Sequence, residues 1–496
     1  MTAKYIAVLL CAAILAVSLA GCGGGTDTPA VTTGTADTDI VDNSAAETTK
    51  AKPVLPTFDY EGYEFTILCK ALATSGSTTW DIVDVYAEQQ NGDLINDAVY
   101  IRNTAIEDKY NIKIVNPLVN SSDEMVSVPQ TAVLAGDATY DAFQVDIERT
   151  SKLIVAGILL NLNLLPHLDF SQDWWDENII SDMSIAGKNY YATGSICLND
   201  DKASWCILFN KKLAADFDLP NLYEIVLNGD WTIDKFYEFG AVGAADLNGD
   251  GQMTFADDRW GIYDQKECAC ALFLASGNKA VDKDSDDTLI YNLDKEVSVN
   301  AFQIIYDHMS DTTFHFNLDK TSISNVWVEA RANFRADKAL FFFTNCGALT
   351  LIRDMENDFG VLPVVKVFDT QDRYYNTVQT NNANVYSVPV TCTDHERTGI
   401  LLESMAMGSD ILTEAYYDNT LEQKAARDEE SIEMLKLIFG NRIYDFSYAF
   451  ASTGIMNFFR NLSVGATNTY ASTEASSRET FIKAIELVQE TILALP

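Results

Sequence analysis

The sequence has few basic residues for its length. Its 496 residues include 34 Lys and Arg against 72 Asp and Glu, which gives a formal net charge of −38. A general nucleic-acid-binding protein needs clustered Lys and Arg to neutralise phosphates, so this composition argues strongly against that class. The same excess of acid disfavours an anionic ligand unless a local basic pocket exists. A neutral ligand is the easier partner.

Recognisable catalytic motifs are also missing. The chain has no G-x-S-x-G nucleophile elbow and no P-loop. Its four histidines have no H-E-x-x-H or C-x-x-C partner, so a catalytic metal is not expected; they are His167, His308, His315 and His395. A pair of glycosidase carboxylates needs only two acids about 5–10 Å apart, and 72 acidic residues leave that possibility open.

Only the N-terminus carries an apolar run of the kind that engages a membrane. Lys4 precedes the run from Ile6 to Leu19, which is too short to span a bilayer comfortably. This pattern predicts a signal peptide over residues 1–21. The closing string L-A-G-C resembles the bacterial lipobox, which implies that Cys22 becomes the lipidated first residue of an anchored protein. The alternative is a plain secretory signal with a chance cysteine.

A disulfide framework is not expected. Nine cysteines are present, and removing Cys11 with the signal and Cys22 as the lipid site leaves an odd number. The remainder lie mostly in apolar strings, which is typical of buried free thiols. The string C-A-C at 268–270 lacks the spacer and second pair of a zinc knuckle. The seven are Cys69, Cys197, Cys206, Cys268, Cys270, Cys346 and Cys392.

The folded part begins after residues 22–57, which contain no aromatic residue and predict a flexible tether. The string Y-E-F-T-I-L at 63–68 predicts a buried strand. Residues 93–110 have a helical period, and strands are predicted at 111–115 and 141–145. Alternating strands and helices predict a parallel, doubly wound sheet.

A second run of the same kind begins near Trp205. Strands are predicted at 205–209 and 339–343, and a helix at 232–242 with Thr232 as its N-cap. The tail is predicted to be helical because its apolar residues step by four and three, at Phe481, Ile485, Val488, Ile492 and Leu495.

One loop has the spacing of a calcium site. Position 6 is Gly251, where a sharp turn is needed. Sensor function is not expected, because the loop occurs once and position 12 is Asp rather than the longer Glu. We therefore predict a structural Ca²⁺ site, with an acidic, solvated turn without an ion as the alternative. The predicted ligands are Asp246, Asn248, Asp250, the carbonyl of Gln252, and Asp257.

The order of several strings resembles a known family. Cys22 and the tether are followed by N-K-K-L at 210–213, N-G-D-W-T-I-D-K-F at 228–236 and then D-L-N-G-D-G. This order resembles family 1 extracellular solute-binding proteins of ABC transporters, in their Gram-positive lipoprotein form. The segment 426–446 also resembles the C-terminal part of that family. The resemblance covers the chain from residue 60 onward, although no single string is specific.

This resemblance implies an α/β, two-lobed periplasmic-binding-protein-like fold of type II. Each lobe would be a doubly wound sheet with flanking helices, joined to the other by crossover strands, and hinge closure would trap the ligand in the cleft. Carried onto this chain, lobe 1 spans 58–200 and returns at 350–400, and lobe 2 spans 201–349. The C-terminal helices at 401–496 would lie mostly in lobe 2, which also holds the calcium loop.

Ligand-binding residues are predicted beyond strand ends, where doubly wound sheets bind their ligands. Aromatic rings cover the apolar faces of sugars, and carboxylates and amides bond the hydroxyls. For a single tryptophan, core packing is the commoner role, and Trp231 and Trp260 are expected to pack beside their helix and loop. The candidates are Trp80, Asp81, Asp146, Glu148, Trp175, Asn199, Asp200, Trp205, Asn345, Asn381 and Asn382. One of the adjacent pair Trp174 and Trp175 is expected to be exposed, at a cleft rim or at a contact between lobes.

These observations favour a lipid-anchored extracellular receptor over an enzyme. It would be a monomer on the outer face of a Gram-positive membrane, which it touches through its anchor only. It would capture a small neutral solute, in the first instance an oligosaccharide, and deliver it to the permease subunits of an ABC importer. The competing hypothesis is a secreted glycoside-active enzyme with a dockerin-like appendage. Against it, dockerin modules carry two calcium loops at one end, whereas this motif is single and internal.

Overall fold

The structure, a computed structural model, describes residues 52–71, 84–417 and 429–496. Its first sheet is centred on β1 (Tyr63–Lys70), whose middle residues are buried on both faces, as in most parallel sheets. The other strands of this sheet are β2 (Ile112–Val115), β3 (Leu118–Val119), β4 (Ala142–Asp146) and β12 (Asn384–Ser387). β2, β3 and β4 run parallel to β1, whereas β12 is antiparallel to β4.

The second sheet consists of β5 (Trp205–Asn210), β6 (Trp260–Asp264), β9 (His315–Asn317), β10 (Ala339–Asn345) and β11 (Phe359–Leu362). Its order is β11-β5-β10-β6-β9. β6 is parallel to β9 and β10, and β5 is antiparallel to both of its neighbours. A separate ribbon pairs β7 (Val281–Lys283) with β8 (Leu289–Tyr291). Each main sheet is therefore mostly parallel. The antiparallel strand is β12, at the edge of the first sheet, and β5, inside the second.

Helices flank both sheets. In chain order they are α1 (Leu94–Tyr110), α2 (Glu124–Leu134), α3 (Ile147–Val155), α4 (Glu177–Met183), α5 (Asn199–Ala203), α6 (Lys211–Asp216), α7 (Leu222–Leu227), α8 (Ile233–Gly243), α9 (Cys268–Ala275), α10 (Glu296–Met309), α11 (Val326–Arg335), α12 (Gly347–Leu351), α13 (His395–Met407), α14 (Asp410–Tyr417), α15 (Glu429–Gly440), α16 (Phe446–Ala449), α17 (Ile455–Ser463) and α18 (Tyr470–Ala494).

Local sequence signals place these elements well. The side chain of Asp93 caps α1 by accepting from the Asn96 N–H, and Thr232 caps α8 by accepting from the Lys235 N–H. Trp231 is fully buried against Phe236, as expected from its place before that cap. The doubly wound α/β prediction is confirmed for both sheets.

The lobe boundaries differ from the prediction. β11 pairs with β5, so residues 359–362 belong to the second sheet, and the return to the first sheet comes later than residue 350. The C-terminal helices are also divided between the sheets. Apolar residues of α13, such as Leu401, pack in one cluster with Phe65 of β1, whereas α15 packs on β11. An apolar helix face shows that a helix packs but not on which sheet it packs.

The chain crosses between the sheets at two segments that hydrogen-bond to each other. The first crossing runs through α5 into β5, and the second runs from β11 to β12. The Trp205 N–H donates to the Thr377 carbonyl at 3.0 Å, and the Gln379 N–H donates to the Ala203 carbonyl at 2.9 Å. These bonds hold the two crossings side by side.

All seven cysteines predicted to be buried free thiols are buried and form no disulfide. Within 52–71, 84–417 and 429–496, no helix combines the length and the apolar character needed to cross a bilayer. The predicted signal peptide and the lipid site at Cys22 lie outside the described residues.

Candidate functional site

A cavity of about 430 Å³ opens where β1, β3 and β4 end. Parallel strands bring their carboxyl ends to one edge of a sheet, and loops beyond that edge commonly hold ligands. The two crossings and the first turn of α3 complete the wall. The lining residues are Cys69, Lys70, Asp84, Val85, Tyr86, Asn116, Leu118, Ser122, Met125, Gln144, Asp146, Arg149, Asn199, Asn381, Asn382 and Asn384.

Side-chain amides dominate the polar part of this lining. An amide offers both donors and acceptors, so it matches a hydroxyl, which also does both. The formally charged residues balance, with Lys70 and Arg149 against Asp84 and Asp146, although the whole chain carries −38. Leu118 and Met125 supply apolar surface, and Tyr86 supplies an aromatic ring. This chemistry fits a neutral, polyhydroxylated molecule. The six amides are Asn116, Gln144, Asn199, Asn381, Asn382 and Asn384.

Asp84 organises one wall of the cavity. Its Oδ1 accepts from Gln144 Nε2 at 2.7 Å, and its Oδ2 accepts from the Leu198 N–H at 3.0 Å. The Arg102 guanidinium donates to the Asp84 carbonyl at 2.7 Å. Burial raises the pKa of Asp84 despite these hydrogen bonds. The carboxyl therefore fixes Gln144 at the end of β4 and ties β4 to the segment that leads into α5.

Asp146 and Arg149 form the charged pair at the base of α3. Asp146 is the N-cap of this helix and accepts from the Arg149 N–H at 3.0 Å, and Arg149 Nη1 lies 3.3 Å from its Oδ1. The same Nη1 donates to the Asn381 carbonyl at 3.4 Å. Burial raises the pKa of Asp146 to about 6, although Arg149 opposes the shift. The pair thus joins the strand end, the helix and the second crossing.

The structure brings four of the sequence-predicted residues to this cavity: Asp146, Asn199, Asn381 and Asn382. Their ligand contacts stay predictions. Trp80 and Asp81 lie outside the described residues. Glu148 is not part of the lining; it turns to Lys152, with Oε1 at 3.1 Å from Nζ.

The predicted tryptophans are in the core instead. Trp205 is completely buried and packs edge-on against Phe343, with ring centroids 5.8 Å apart. Trp174 and Trp175 are both buried, so neither forms an exposed cleft rim. Their Nε1 atoms donate to the two oxygens of Glu403 at 3.1 and 2.9 Å. One carboxylate on α13 therefore allows two adjacent indoles to be buried together, which sequence spacing alone does not reveal.

Asp200 and Asn345 are also held inside the protein. Arg442 lies 3.4 Å from Asp200, 3.0 Å from Asp201 and 3.1 Å from Asp176, and all four side chains are largely or fully shielded from solvent. Asn345 donates to Gln379 Oε1 at 3.3 Å and is buried. Both residues follow or precede strands as predicted, but neither lines the cavity.

Several lining residues are not among the candidates predicted from the sequence. Asn116 directly follows β2, so the rule that selected Asp146 would have selected it as well. Arg149 stands three residues after the N-cap Asp146, a spacing that places both side chains at one helix start. Asp84 and Gln144 carry no comparable signal, because their positions depend on how β4 packs beside the first crossing.

The predicted calcium loop has the expected sharp turns. Asp246 accepts from the Gly249 and Gly251 N–H groups at 2.7 and 2.8 Å, and φ of Gly251 is 81°. Asp258, rather than Asp257, closes the loop on itself by accepting from the Leu247 and Thr254 N–H groups at 2.9 and 2.7 Å. Among the described residues, no group of three or more His, Cys, Asp and Glu is arranged to hold a metal. The ion stays a prediction.

Trp260 packs behind this loop, as predicted. Its Nε1 donates to the Thr254 carbonyl at 3.0 Å, and its ring lies 5.1 Å from that of Phe316. The loop is thus attached to β6 and the second sheet, away from the lining of the cavity.

Comparison with known proteins shows the fold. No family model matches the sequence, and no curated protein matches it. Among solved structures, the galacto-N-biose/lacto-N-biose I-binding protein of the ABC transporter from Bifidobacterium longum, in complex with lacto-N-biose, aligns with TM-score 0.53 and 12% identity over 88% of this chain and 98% of its own.

Two further solved structures are similar. An ABC substrate-binding protein from Listeria monocytogenes in complex with cycloalternan aligns with TM-score 0.51 and 13% identity, covering 88% of this chain and all of its own. UgpB from Mycobacterium tuberculosis in complex with glycerophosphocholine aligns with TM-score 0.51 and 14% identity, covering 87% and 98%. The type II, two-lobed fold implied by the sequence resemblance is confirmed.

Proposed function

We propose that this chain is the extracellular substrate-binding protein of an ABC importer and has no enzymatic activity. It captures a neutral solute, an oligosaccharide in the first instance, and its two sheets close about the crossings to deliver the solute to the permease. Cys22 carries the lipid that anchors it, as a monomer, to the outer face of a Gram-positive membrane.

The observation that carries this proposal is the amide-lined cavity at the carboxyl-end edge of the first sheet. The cavity lies beside both crossings, where a bound molecule influences how the two sheets move. Its volume is within the usual range for small-molecule sites, about 300–1,000 Å³. Several structures with this fold hold sugars, including lacto-N-biose and cycloalternan. These sugar ligands of proteins with the same fold support an oligosaccharide as the solute.

The balanced charge of the lining supports a neutral solute. Of the two cations in the lining, Lys70 and Arg149, the second is already engaged by Asp146 at 3.3 Å, which leaves less positive charge for a phosphate or carboxylate ligand. The excess acid of the whole chain also opposes the approach of an anion. One neighbour of the same fold binds glycerophosphocholine, so that zwitterion belongs in any ligand panel as the contrasting probe.

The test is a thermal-shift and calorimetric screen of residues 23–496. The panel contains maltotetraose, lacto-N-biose, cycloalternan, a peptide mixture and glycerophosphocholine. We expect a carbohydrate to raise the melting temperature, because a ligand that binds only the folded state stabilises it. The substitution Asn381→Ala should weaken binding, whereas Asn457→Ala, an exposed asparagine of α17, should not.

Stabilisation by the peptide mixture or glycerophosphocholine, with none by any sugar, would contradict the solute class. Release of labelled products from an oligosaccharide would favour the enzyme instead. Anchoring is tested separately, because Cys22→Ser should move the full-length protein from the membrane fraction to the medium. Retention of that variant on membranes would contradict the lipid anchor.

The loop at 246–257 is proposed to hold one structural Ca²⁺. Asp246, Asn248, Asp250 and Asp257 supply side-chain oxygens, and Gln252 supplies a carbonyl, which is the donor chemistry that calcium prefers. The turns of the loop support the proposal. Because the loop lies on the second sheet, its ion would stabilise that sheet and leave the cavity unchanged.

A further inference from the structure

Asn199 has an unusual place in the cavity wall. The residue is 4% exposed, and its Nδ2 donates to the Asn382 carbonyl at 2.9 Å. Its Oδ1 is buried, and no donor of the described residues reaches it. Buried amide oxygens almost always have a partner, so each exception needs an explanation, and for a residue that lines a cavity a partner from outside the chain is one.

A second asparagine provides the contrast. Asn376 is also buried, also lies in a crossing and also has an unpartnered Oδ1 among the described residues. Its Nδ2 donates to the Trp205 carbonyl at 3.0 Å. Asn376 does not line the cavity, whereas Asn199 does. Asn199 therefore borders any molecule in the cavity, and a shift of the wall on binding can bring a donor to its Oδ1, whereas Asn376 lies away from the lining.

We propose that Asn199 is a specificity-determining residue, whose Oδ1 accepts a hydrogen bond from a hydroxyl of the bound solute. This inference rests on the proposed function and narrows the solute to one that presents a hydroxyl donor at this wall. A ligand without a donor there leaves the amide oxygen unpaired. Sites built to receive a hydrogen bond reject such ligands strongly.

The same residue connects the solute to both crossings. Asn199 is the first residue of α5 in the first crossing, and its Nδ2 holds the carbonyl of Asn382 in the second. The neighbouring Asp200 and Asp201 are fixed by Arg442. A hydrogen bond at Oδ1 thus acts on a side chain that already bridges the two crossings. Binding of the solute hydroxyl is thereby coupled to the arrangement of the two crossings.

The experiment compares Asn199→Ala with Asn376→Ala in the mature protein. Melting temperatures are measured without ligand, and affinities are measured for maltotetraose, lacto-N-biose and cycloalternan by calorimetry. We expect Asn199→Ala to weaken the best probe by about tenfold or more, as for the loss of one good hydrogen bond. Without ligand it should lose less melting temperature than Asn376→Ala, because Asn199 Nδ2 donates to one carbonyl whereas Asn376 Nδ2 donates to two. Asn376→Ala should lose melting temperature and keep the affinity of the folded protein.

The opposite pattern would overturn the inference. Unchanged affinity in Asn199→Ala would mean that an ordered water, not the solute, serves the oxygen. If Asn199→Ala loses as much melting temperature as Asn376→Ala when no ligand is present, Asn199 has a structural role instead. If no sugar stabilises the wild-type protein, the proposed solute class fails, and the ligand-free comparison still decides the role of Asn199.

Discussion

Asp146 and Asp200 are both buried aspartates next to strands, and the sequence selects both as ligand-binding candidates. Asp146 lines the cavity and has one cation, Arg149, beside it. Asp200 is sealed in a cluster where one guanidinium serves three carboxylates. The first carboxylate can meet a solute, and the second cannot. A position next to a strand therefore places a residue near an edge of the sheet. Whether its side chain can contact a ligand depends on whether that edge faces the cavity or packs against other side chains.

The largest effect is expected from Arg442→Met. This change leaves Asp176, Asp200 and Asp201 buried without their cation, which typically costs about 3–5 kcal/mol of unfolding free energy. Urea unfolding measures the loss. The matched control is Arg335→Met, which removes an exposed pair to Asp354 and should cost less than about 1 kcal/mol. Similar losses in both variants would mean that the buried cluster is no different from a surface ion pair.

Asp146→Asn should have the next largest effect, and one that depends on pH. Burial raises the pKa of Asp146 from 3.8 to about 6, so the folded state binds the proton more tightly than the unfolded state. Its contribution to stability is present below pH 4 and is lost as the pH rises through 6, by about 3 kcal/mol in total. Asparagine can still cap α3 but carries no charge.

We therefore expect Asp146→Asn to be more stable than the wild-type protein at pH 8 and to show a flatter dependence of stability on pH between 4 and 6. Chemical unfolding at several pH values measures both. Affinity for a sugar should fall at the same time, since Asp146 lines the cavity. A variant less stable than the wild-type protein at pH 8 would show that Arg149 outweighs the cost of burying this carboxylate.

The carboxylates of the predicted calcium loop at 246–257 are exposed and lie close together in the sequence, unlike the buried Asp146 and Asp200. In the wild-type protein, Ca²⁺ at 100 times its dissociation constant should add about 2.7 kcal/mol to the unfolding free energy. The double substitution Asp246→Ala with Asp250→Ala should abolish that gain while sugar affinity changes little. The double substitution also removes the hydrogen bonds from the Gly249 and Gly251 N–H groups to Asp246. Unfolding free energies measured in EDTA give the cost of those bonds without the contribution of the ion. A calcium-linked loss of affinity in the folded variant would make the site regulatory.

The smallest effect is expected from Glu148→Gln. This residue pairs with Lys152, whose side chain is half exposed, so the change should cost less than about 1 kcal/mol. Because Glu148 does not line the cavity, sugar affinity should stay within a factor of two to three. A tenfold loss of affinity by calorimetry would bring Glu148 into the site and would weaken the distinction between cavity and non-cavity carboxylates.

Much of the fold could be predicted because its signals are local. The buried run of β1, the period of α1 and the cap at Thr232 are each contained within a few residues. The assignment of β11 failed because antiparallel pairing with β5 joins residues about 150 positions apart. The sheet on which α13 packs likewise depends on contacts distant in sequence, because the apolar face of a helix fits either sheet.

The site could be predicted only in part. Asp146 is predicted from its place at a strand end, and Asn199, Asn381 and Asn382 from their places in the expected crossings. Trp205 is predicted from its place near a crossing and Trp175 from its adjacency to Trp174. A hydrogen bond to Glu403 and packing against Phe343 instead hold Trp175 and Trp205, respectively, in the core. Asp84 became a lining residue through its bond to Gln144, a contact between segments 60 residues apart. No local pattern carries such information.

The buried thiols have a practical consequence. Every cysteine in the part of the chain that the structure describes is shielded from solvent. A maleimide dye therefore discriminates between these thiols and one placed at the surface, without removal of any native cysteine from the fold. Leu118 is half exposed and lines the cavity. Labelling Leu118→Cys with an environment-sensitive dye would convert the protein into an optical sensor for its own solute.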